Sequence, residues 1–444
     1  MSDTKKSKSI IQQKIEEGAT VEQLKNETSC YCPLPWVHLH ISTIGEVLPC
    51  CISEWGQAPL GNINNNSFDE IWNGEEMRQF RLKMLNDKPD ARCKVCYEKE
   101  KTGNWSLRYA EIRKRHHDAK TYILNTEEDG SSLDSKPIYW DIRFSNICNM
   151  RCRMCGHFSS SRWFADAKAI REQYGNYNYS VSEPHTNQAI IHGVEDSTAL
   201  LDRLDEYIPY VKEFYFAGGE PLIMEEHYRI LKRLDELELY NVYIRYNTNF
   251  MQMHYKDLDV INMWKKFKNV HVAASIDASG ARGELIRKDT VWATIERNVE
   301  RLAKEAPNVH FEVSPTVQIL NILTISDLHR EWVEKGYMKP ELMFFNILVN
   351  PPYYNLKALP MELKEQAKET LEKHVEWIEN RTEMFPGKFK ETVNNTINFM
   401  MSEQLPEKEL YSMVDQTTKL DIIRDENTPS TFPELDLIWK NYGN

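Results

Sequence analysis

Between residues 137 and 350, six short runs rich in Val, Ile, Phe and Tyr recur at regular intervals: IYWDIRFS, EFYFAGG, NVYIRYNTN, NVHVAASIDA, NVHFEVSPTV and ELMFFNILVN. Each reads as a strand. Between them lie amphipathic stretches such as EEHYRILKRLDELELY, DLDVINMWKKFK and TVWATIERNVERLAKEA, with apolar residues at helical spacing. Strand and helix in alternation imply parallel strands with helical crossovers, in an open sheet or a barrel. In such barrels the chemistry sits at the C-terminal ends of the strands. The polar and glycine-rich pieces SNICNMRC, GGEP, NTN and SIDAS fall there. The first crossover is long, and QYGNYNYSVSEPHTNQ reads as a loop inserted in it.

A chain of 444 residues exceeds one small core and predicts two or three domains. The pattern divides it into a polar segment 1–29, a cysteine-rich domain 30–100, a charged helical connector 101–136, the alternating core 137–350 and a mainly helical extension 351–444. The opening residues carry charge without a continuous apolar stretch, which predicts no secretory signal. No segment approaches the roughly 18 apolar residues of a membrane span. The expected location is cytoplasmic, with no membrane partner. A net charge of −12 disfavours a general nucleic-acid binder, and none is expected as a partner.

Nine cysteines occur, at 30, 32, 50, 51, 93, 96, 148, 152 and 155, and none follows. In a reducing compartment such clusters hold metal or do redox chemistry. Cys148, Cys152 and Cys155 form a C-x3-C-x2-C run that offers three thiolates and lacks a local fourth. Three corners of a cubane iron–sulfur cluster fit this, with one iron left open to a small molecule. A zinc site completed by His157 is the alternative. Among the N-terminal six, two distant cysteines plus a C-x2-C pair make a four-thiolate site, open to zinc or a 4Fe–4S cluster.

C-x3-C-x2-C at the end of the first strand, with Met154 before the third cysteine, resembles the radical S-adenosylmethionine (SAM) enzymes. The resemblance covers about residues 137–350 and implies a partial (β/α)6 TIM-like barrel. It implies a SAM-binding 4Fe–4S cluster on Cys148, Cys152 and Cys155, reductive cleavage of SAM to a 5′-deoxyadenosyl radical, and hydrogen abstraction from a substrate. GGEP, residues Gly218, Gly219, Glu220 and Pro221, matches the family motif that supports the methionine amino group. Asn247 and Asn249 end the third strand, where the family has a polar residue near the ribose. Ser275 and Asp277 end the fourth, and Arg287 resembles the arginine that pairs the SAM carboxylate. Val317 and Leu320 either flank adenine or pack in the core.

The pieces CPLPW, GEVLPCC, GNI, EIW and CKVC resemble a SPASM or shorter twitch domain, which holds auxiliary 4Fe–4S clusters in the same family. Six cysteines suit one cluster. The resemblance implies Cys32, Cys50, Cys93 and Cys96 as ligands, with Cys30 and Cys51 as alternates or unligated thiols. Here the domain precedes the barrel, whereas the family's commoner order places it after. The substrate expected is a peptide or protein side chain, with a sugar-like or aminocyclitol-like small molecule as the alternative. The electron donor expected is a flavodoxin or ferredoxin. A non-enzymatic iron–sulfur electron carrier is the rival from another class, and the missing fourth ligand beside GGEP argues against it.

Three further features have plain readings. His38-x-His40 can bind metal but reads better as packing beside the cluster. RKRHH, with His116 and His117, reads as a solvated helix face. NPPYYNLKALP, with Tyr353 and Tyr354, is expected to cross the barrel mouth and touch substrate.

Overall fold

The computed structural model describes residues 8–54, 56–101, 105–175, 186–381 and 386–443. They divide into two compact units, one of residues 1–145, 192–216 and 236–243, the other of residues 146–191, 217–235 and 244–444. Both contain parallel strands and helices, and the class is α/β of the partial TIM-like type expected.

In the first unit, strands β1 (His38–Ile41), β2 (Glu46–Leu48), β3 (Gly61–Asn62), β4 (Tyr139–Ile142) and β5 (Glu213–Phe216) hydrogen-bond in the order β5-β4-β1-β2-β3. β4 runs parallel to β1 and β5, whereas β2 pairs antiparallel with β1 and β3. The cysteine-rich segment thus supplies β1 directly to the first barrel strand. The register sets His38 beside Tyr139 and His40 beside Asp141. Because side chains alternate, Leu39, Ile41, Trp140, Ile142, Phe214 and Phe216 share one buried apolar face, and the histidines share the other with Asp141.

The polar opening folds. Helices Ile10–Glu16 and Val21–Glu27 begin in capping boxes, Ser9 with Gln12 and Thr20 with Gln23, and bury Ile11, Ile15 and Leu24. RKRHH is a solvated face only in part. On helix Leu107–Leu124, Arg113, Lys114 and His117 are exposed, but Arg115 and His116 are buried. Arg115 pairs with Glu111 and Glu213 at 2.5 Å each and lies 3.9 Å over the Tyr139 ring. The His116 Nδ1 meets the Tyr31 hydroxyl at 3.0 Å. A buried guanidinium needs such partners, and charge counting along the chain does not reveal them.

In the second unit, β6 (Tyr243–Thr248), β7 (Asn269–Ala274) and β8 (His310–Val313) lie in the order β8-β7-β6, with β7 and β8 parallel. ELMFFNILVN is strand only at Asn346–Ile347, paired parallel with Thr316–Val317, and at a bridge from Met343 to Val313. Helices Glu225–Glu236, Trp292–Glu305 and Ile325–Glu334 are strongly amphipathic and bury Leu231, Val299 and Trp332. The C-terminal extension is helical at Met361–Glu379, Pro386–Met401 and Lys408–Arg424. Tyr353 and Tyr354 do not face an open mouth. Both are buried, and the Tyr354 hydroxyl bonds Thr417 Oγ1 at 2.9 Å, because helix Lys408–Arg424 covers them. Much of the inserted loop, residues 176–185, lies outside the described residues. Among the described residues no helix is long and apolar enough to cross a membrane.

Candidate functional site

The three barrel cysteines lie in the second unit on one tight loop. Asn146 anchors its start: the side-chain amide donates to the His157 carbonyl at 2.7 Å, and Oδ1 accepts the Ile191 N–H at 2.8 Å. Cys152 sits in a two-residue ladder opposite Arg287. The Cys155 N–H then donates to the Cys152 carbonyl at 3.0 Å, turning the chain so that both thiols meet. The Cys155 thiol hydrogen-bonds to Cys152, and this bond, with the nearby Arg287 charge, draws the Cys152 thiol down, while the same bond and burial push Cys155 up. Burial pushes Cys148 up to about 12, with Cys152 adding to it. The three sulfurs therefore share one space, as ligands of one group must. His157, the alternative fourth ligand, turns its Nε2 to the Ala189 carbonyl at 2.9 Å.

GGEP folds onto this loop. The Glu220 N–H donates to the Ile147 carbonyl at 2.7 Å. Gly218 and Gly219 have φ of +81° and +54°. A Cβ on Gly219 would collide with the Ile147 carbonyl oxygen, so only glycine permits the approach. The Glu220 carboxylate is buried: Oε1 accepts the Leu222 N–H at 3.0 Å and the Thr248 hydroxyl at 2.7 Å, and Oε2 accepts the Asn249 N–H at 2.7 Å. Burial raises this carboxyl to about 7 although these donors pull it down. Glu220 thereby ties the ends of two strands together. Asn249 reaches the cysteine loop itself, its Nδ2 donating to Asn149 Oδ1 at 2.6 Å.

Asn249, Ser275, Asp277 and Arg287 line one cavity with Ile276, Ala278, Gly283, Thr290, Trp292 and Ile295. Asp277 takes the Arg287 fork at 2.8 and 3.0 Å and the Thr316 N–H at 2.8 Å. Arg287 Nη1 lies 3.7 Å from the Cys152 sulfur. Asn247 does not line this cavity, and alternation puts it on the opposite face of β6 from Thr248, whose hydroxyl reaches Glu220. Thr248 and Asn149 are partners that motif reading missed. The pleat of NTN was a signal for the first, and nothing in the sequence pointed to the second.

In the first unit a second cavity is lined by Cys30, Cys32, Cys50, Cys93 and Cys96, with Arg92 and Arg108 at its wall. Burial raises the Cys32 and Cys50 thiols and pushes Cys93 up to about 12. Through space, Cys93 and Cys96 add to the rise at Cys32; Cys51, Cys93 and Cys32 add to that at Cys50; and Cys96 adds to that at Cys93. Burial also raises Cys30, with Asp87 adding to it and Tyr97 opposing it. Cys51 is exposed and outside the cavity lining. Five thiols line this cavity, one more than a fully ligated cluster needs.

His38, His40 and Asp141 also converge, with ligand atoms within 4.8 Å. His40 Nδ1 lies 3.0 Å from Asp141 Oδ2, but Arg143 holds both oxygens of that carboxylate at 2.6 and 3.0 Å. A cation there would meet a guanidinium, so the arrangement is an ion-pair network.

Comparison with known proteins gives two family matches: SPASM, an iron–sulfur cluster-binding domain, at residues 30–97, and the radical SAM superfamily at residues 142–327. No curated protein matches. Solved structures of native anSMEcpe with bound AdoMet, one also holding a peptide, are 18–19% identical, with TM-scores of 0.35. Each covers 53% of this chain, and the chain spans 57–58% of their length. A structure of TYW1 with a lysine–pyruvate adduct bound is 11% identical, at a TM-score of 0.29, and covers 55% of this chain and 72% of its own.

Proposed function

The chain belongs to the radical SAM superfamily and carries a SPASM region ahead of its core, and from that premise we propose that it oxidises or otherwise modifies a peptide or protein side chain by hydrogen abstraction. Cys148, Cys152 and Cys155 would hold a 4Fe–4S cluster with one iron open to SAM. When bound, cluster and SAM together supply a 5′-deoxyadenosyl radical, the hydrogen-abstracting species. Gly218 and Gly219 bring backbone against the cysteine loop, where carbonyls can take the methionine ammonium. Glu220 keeps that turn in register with Thr248 and Asn249. Asn249, Ser275, Asp277 and Arg287 form the polar wall for the rest of the cofactor, and Asn247 lies outside it.

Cys32, Cys50, Cys93 and Cys96 would ligate one auxiliary 4Fe–4S cluster. With four protein ligands it has no position for substrate, and its role is electron transfer. The remaining assignments are a cytoplasmic location, a flavodoxin- or ferredoxin-type reductant, and the domain limits 1–29, 30–100, 101–136, 137–350 and 351–444. A sugar-like or aminocyclitol-like small molecule is the alternative substrate.

The observation that carries the reading is the three-thiol loop bonded to GGEP through Glu220 N–H and Ile147. Anaerobically reconstituted protein with dithionite should form 5′-deoxyadenosine from SAM. A variant with all three barrel cysteines changed to Ala should form none. Equal yields from both would reject the reading, as would zinc in both sites.

A further inference from the structure

The C-terminal extension closes on the cysteine loop through charged side chains. Arg153 stands between Cys152 and Cys155 and is wholly buried. Its Nη2 binds Asp421 and, at 2.6 Å, Glu426 Oε2. Glu426 Oε1 pairs with Lys288 Nζ at 2.9 Å. Lys288 is registered against Arg151 in the same ladder that sets Arg287 opposite Cys152. Glu426 therefore bridges both sides of the loop.

A second tie runs beside it. Arg424 donates to Asp166 Oδ2 from Nε and Nη2 at 2.9 and 2.7 Å, and Asp166 Oδ1 accepts Arg151 Nη1 at 2.9 Å. The Arg424 guanidinium covers the Trp163 ring at 4.8 Å, and Trp163 Nε1 donates to the Cys152 carbonyl at 2.8 Å. The segment that delivers these charges is itself fixed. Asp421 accepts the Thr428 N–H at 2.7 Å and its hydroxyl at 2.8 Å, and Asp425 ends the helix at φ +52°.

Helix ends are seldom pinned by so many buried charges, since each must be desolvated. Packing alone would be served by apolar residues. Arg153 also keeps Nε and Nη1 buried without an acceptor among the described residues. The sulfurs of a cluster seated on the flanking cysteines are acceptors of the kind those two N–H groups lack.

We propose that Asp421–Glu426 is a positioning element of the barrel's cluster site, acting through Arg153 on the Cys152–Cys155 turn and through Lys288 on the ladder beside it. This rests on the reading of Cys148, Cys152 and Cys155 as cluster ligands. Glu426 is the centre of the device, because its two oxygens reach Arg153 on the loop and Lys288 on the ladder. Its negative charge also disfavours the added electron of a reduced cluster, so its removal raises the cluster's midpoint potential.

The test uses the full chain, reconstituted anaerobically, with SAM as probe. Glu426→Gln, Arg153→Lys and the rescue variant Glu426→Asp are compared with the parent for iron content, midpoint potential and the SAM-induced change in the EPR signal of the reduced cluster. That change reports only the cluster with an open iron. Glu426→Gln is expected to raise the potential and weaken the SAM response about 10- to 100-fold, the usual cost of losing a supporting contact behind a ligand. Glu426→Asp restores part of it, and Arg153→Lys lowers iron retention. If a variant melts well below the parent, Lys288→Gln, which removes the same bridge from its more exposed side, is measured in its place. Variants that match the parent in all three readouts overturn the clamp alone. A parent with no SAM-responsive cluster overturns the ligand assignment, and the clamp with it.

Discussion

The Arg287 guanidinium joins Asp277 to Cys152: Nε and Nη2 hold the carboxylate at 2.8 and 3.0 Å, and Nη1 lies 3.7 Å from the sulfur. An arginine expected to pair the SAM carboxylate is thus already oriented by a buried one. Its charge favours thiolate at Cys152, the form that binds iron.

This pair predicts a large, asymmetric mutational response. Asp277→Ala strands a buried guanidinium and should cost about 3–5 kcal/mol of stability. Asp277→Ala combined with Arg287→Met should recover much of that while still lowering iron at the barrel site. Denaturant titration and iron analysis of both variants check it, and equal stability losses would contradict the pairing.

The two glycines of GGEP should differ. Gly218→Ala carries the strain of positive φ, roughly 1–2 kcal/mol. Gly219→Ala adds the collision with the Ile147 carbonyl, and about 2 kcal/mol or more beyond that is expected. Thermal melts of the two variants measured side by side decide the order.

Cys50 and Cys51 are neighbours with opposite surroundings, one lining the N-terminal cavity and one exposed. Cys50→Ala should lose about four irons per chain, the content of one cluster, and Cys51→Ala none. Cys32→Ala should behave as Cys50→Ala, and Cys30→Ala as Cys51→Ala. Iron and sulfide counts after reconstitution settle the four ligands.

A buried histidine pair sets an acid limit on stability. His329 Nδ1 and His374 Nε2 lie 2.8 Å apart, and burial lowers the two to about 3 and about 4, with His374 reinforcing the shift on His329. Unfolded histidine titrates near 6.5, so between there and pH 4 the unfolded chain binds more protons. This stabilisation is complete above about pH 6.5 and is lost as pH falls, by about 1.4 kcal/mol per pH unit for each proton. His374→Phe should flatten the fall in urea midpoint between pH 6.5 and 4.5, and an unchanged slope would exclude the pair as its source.

Local pattern carried much of the fold and singled out the cysteines that the folded chain gathers. Periodicity placed the helices and five of the six expected strands, because burying one face of each element is a local demand on sequence. The sixth run failed as a strand because a β-strand needs a partner ladder, and here only two residues find one. Spacing set Cys148, Cys152 and Cys155 apart, since a loop that grips one cluster must bring its sulfurs together within a few residues.

What the sequence determined by itself is therefore the chemistry within single segments: thiols at ligand spacing, glycines where backbone must approach, and the alternation of strand and helix. Only tertiary structure decided which distant groups meet. It buried Arg115 against Glu213, turned Tyr353 and Tyr354 beneath a helix, sent Asn247 and Thr248 to opposite faces, and brought Glu426 to Arg153 across more than 270 positions. Such pairings depend on desolvation and on complementary charge at one point in space. Neither quantity exists along the chain before it folds.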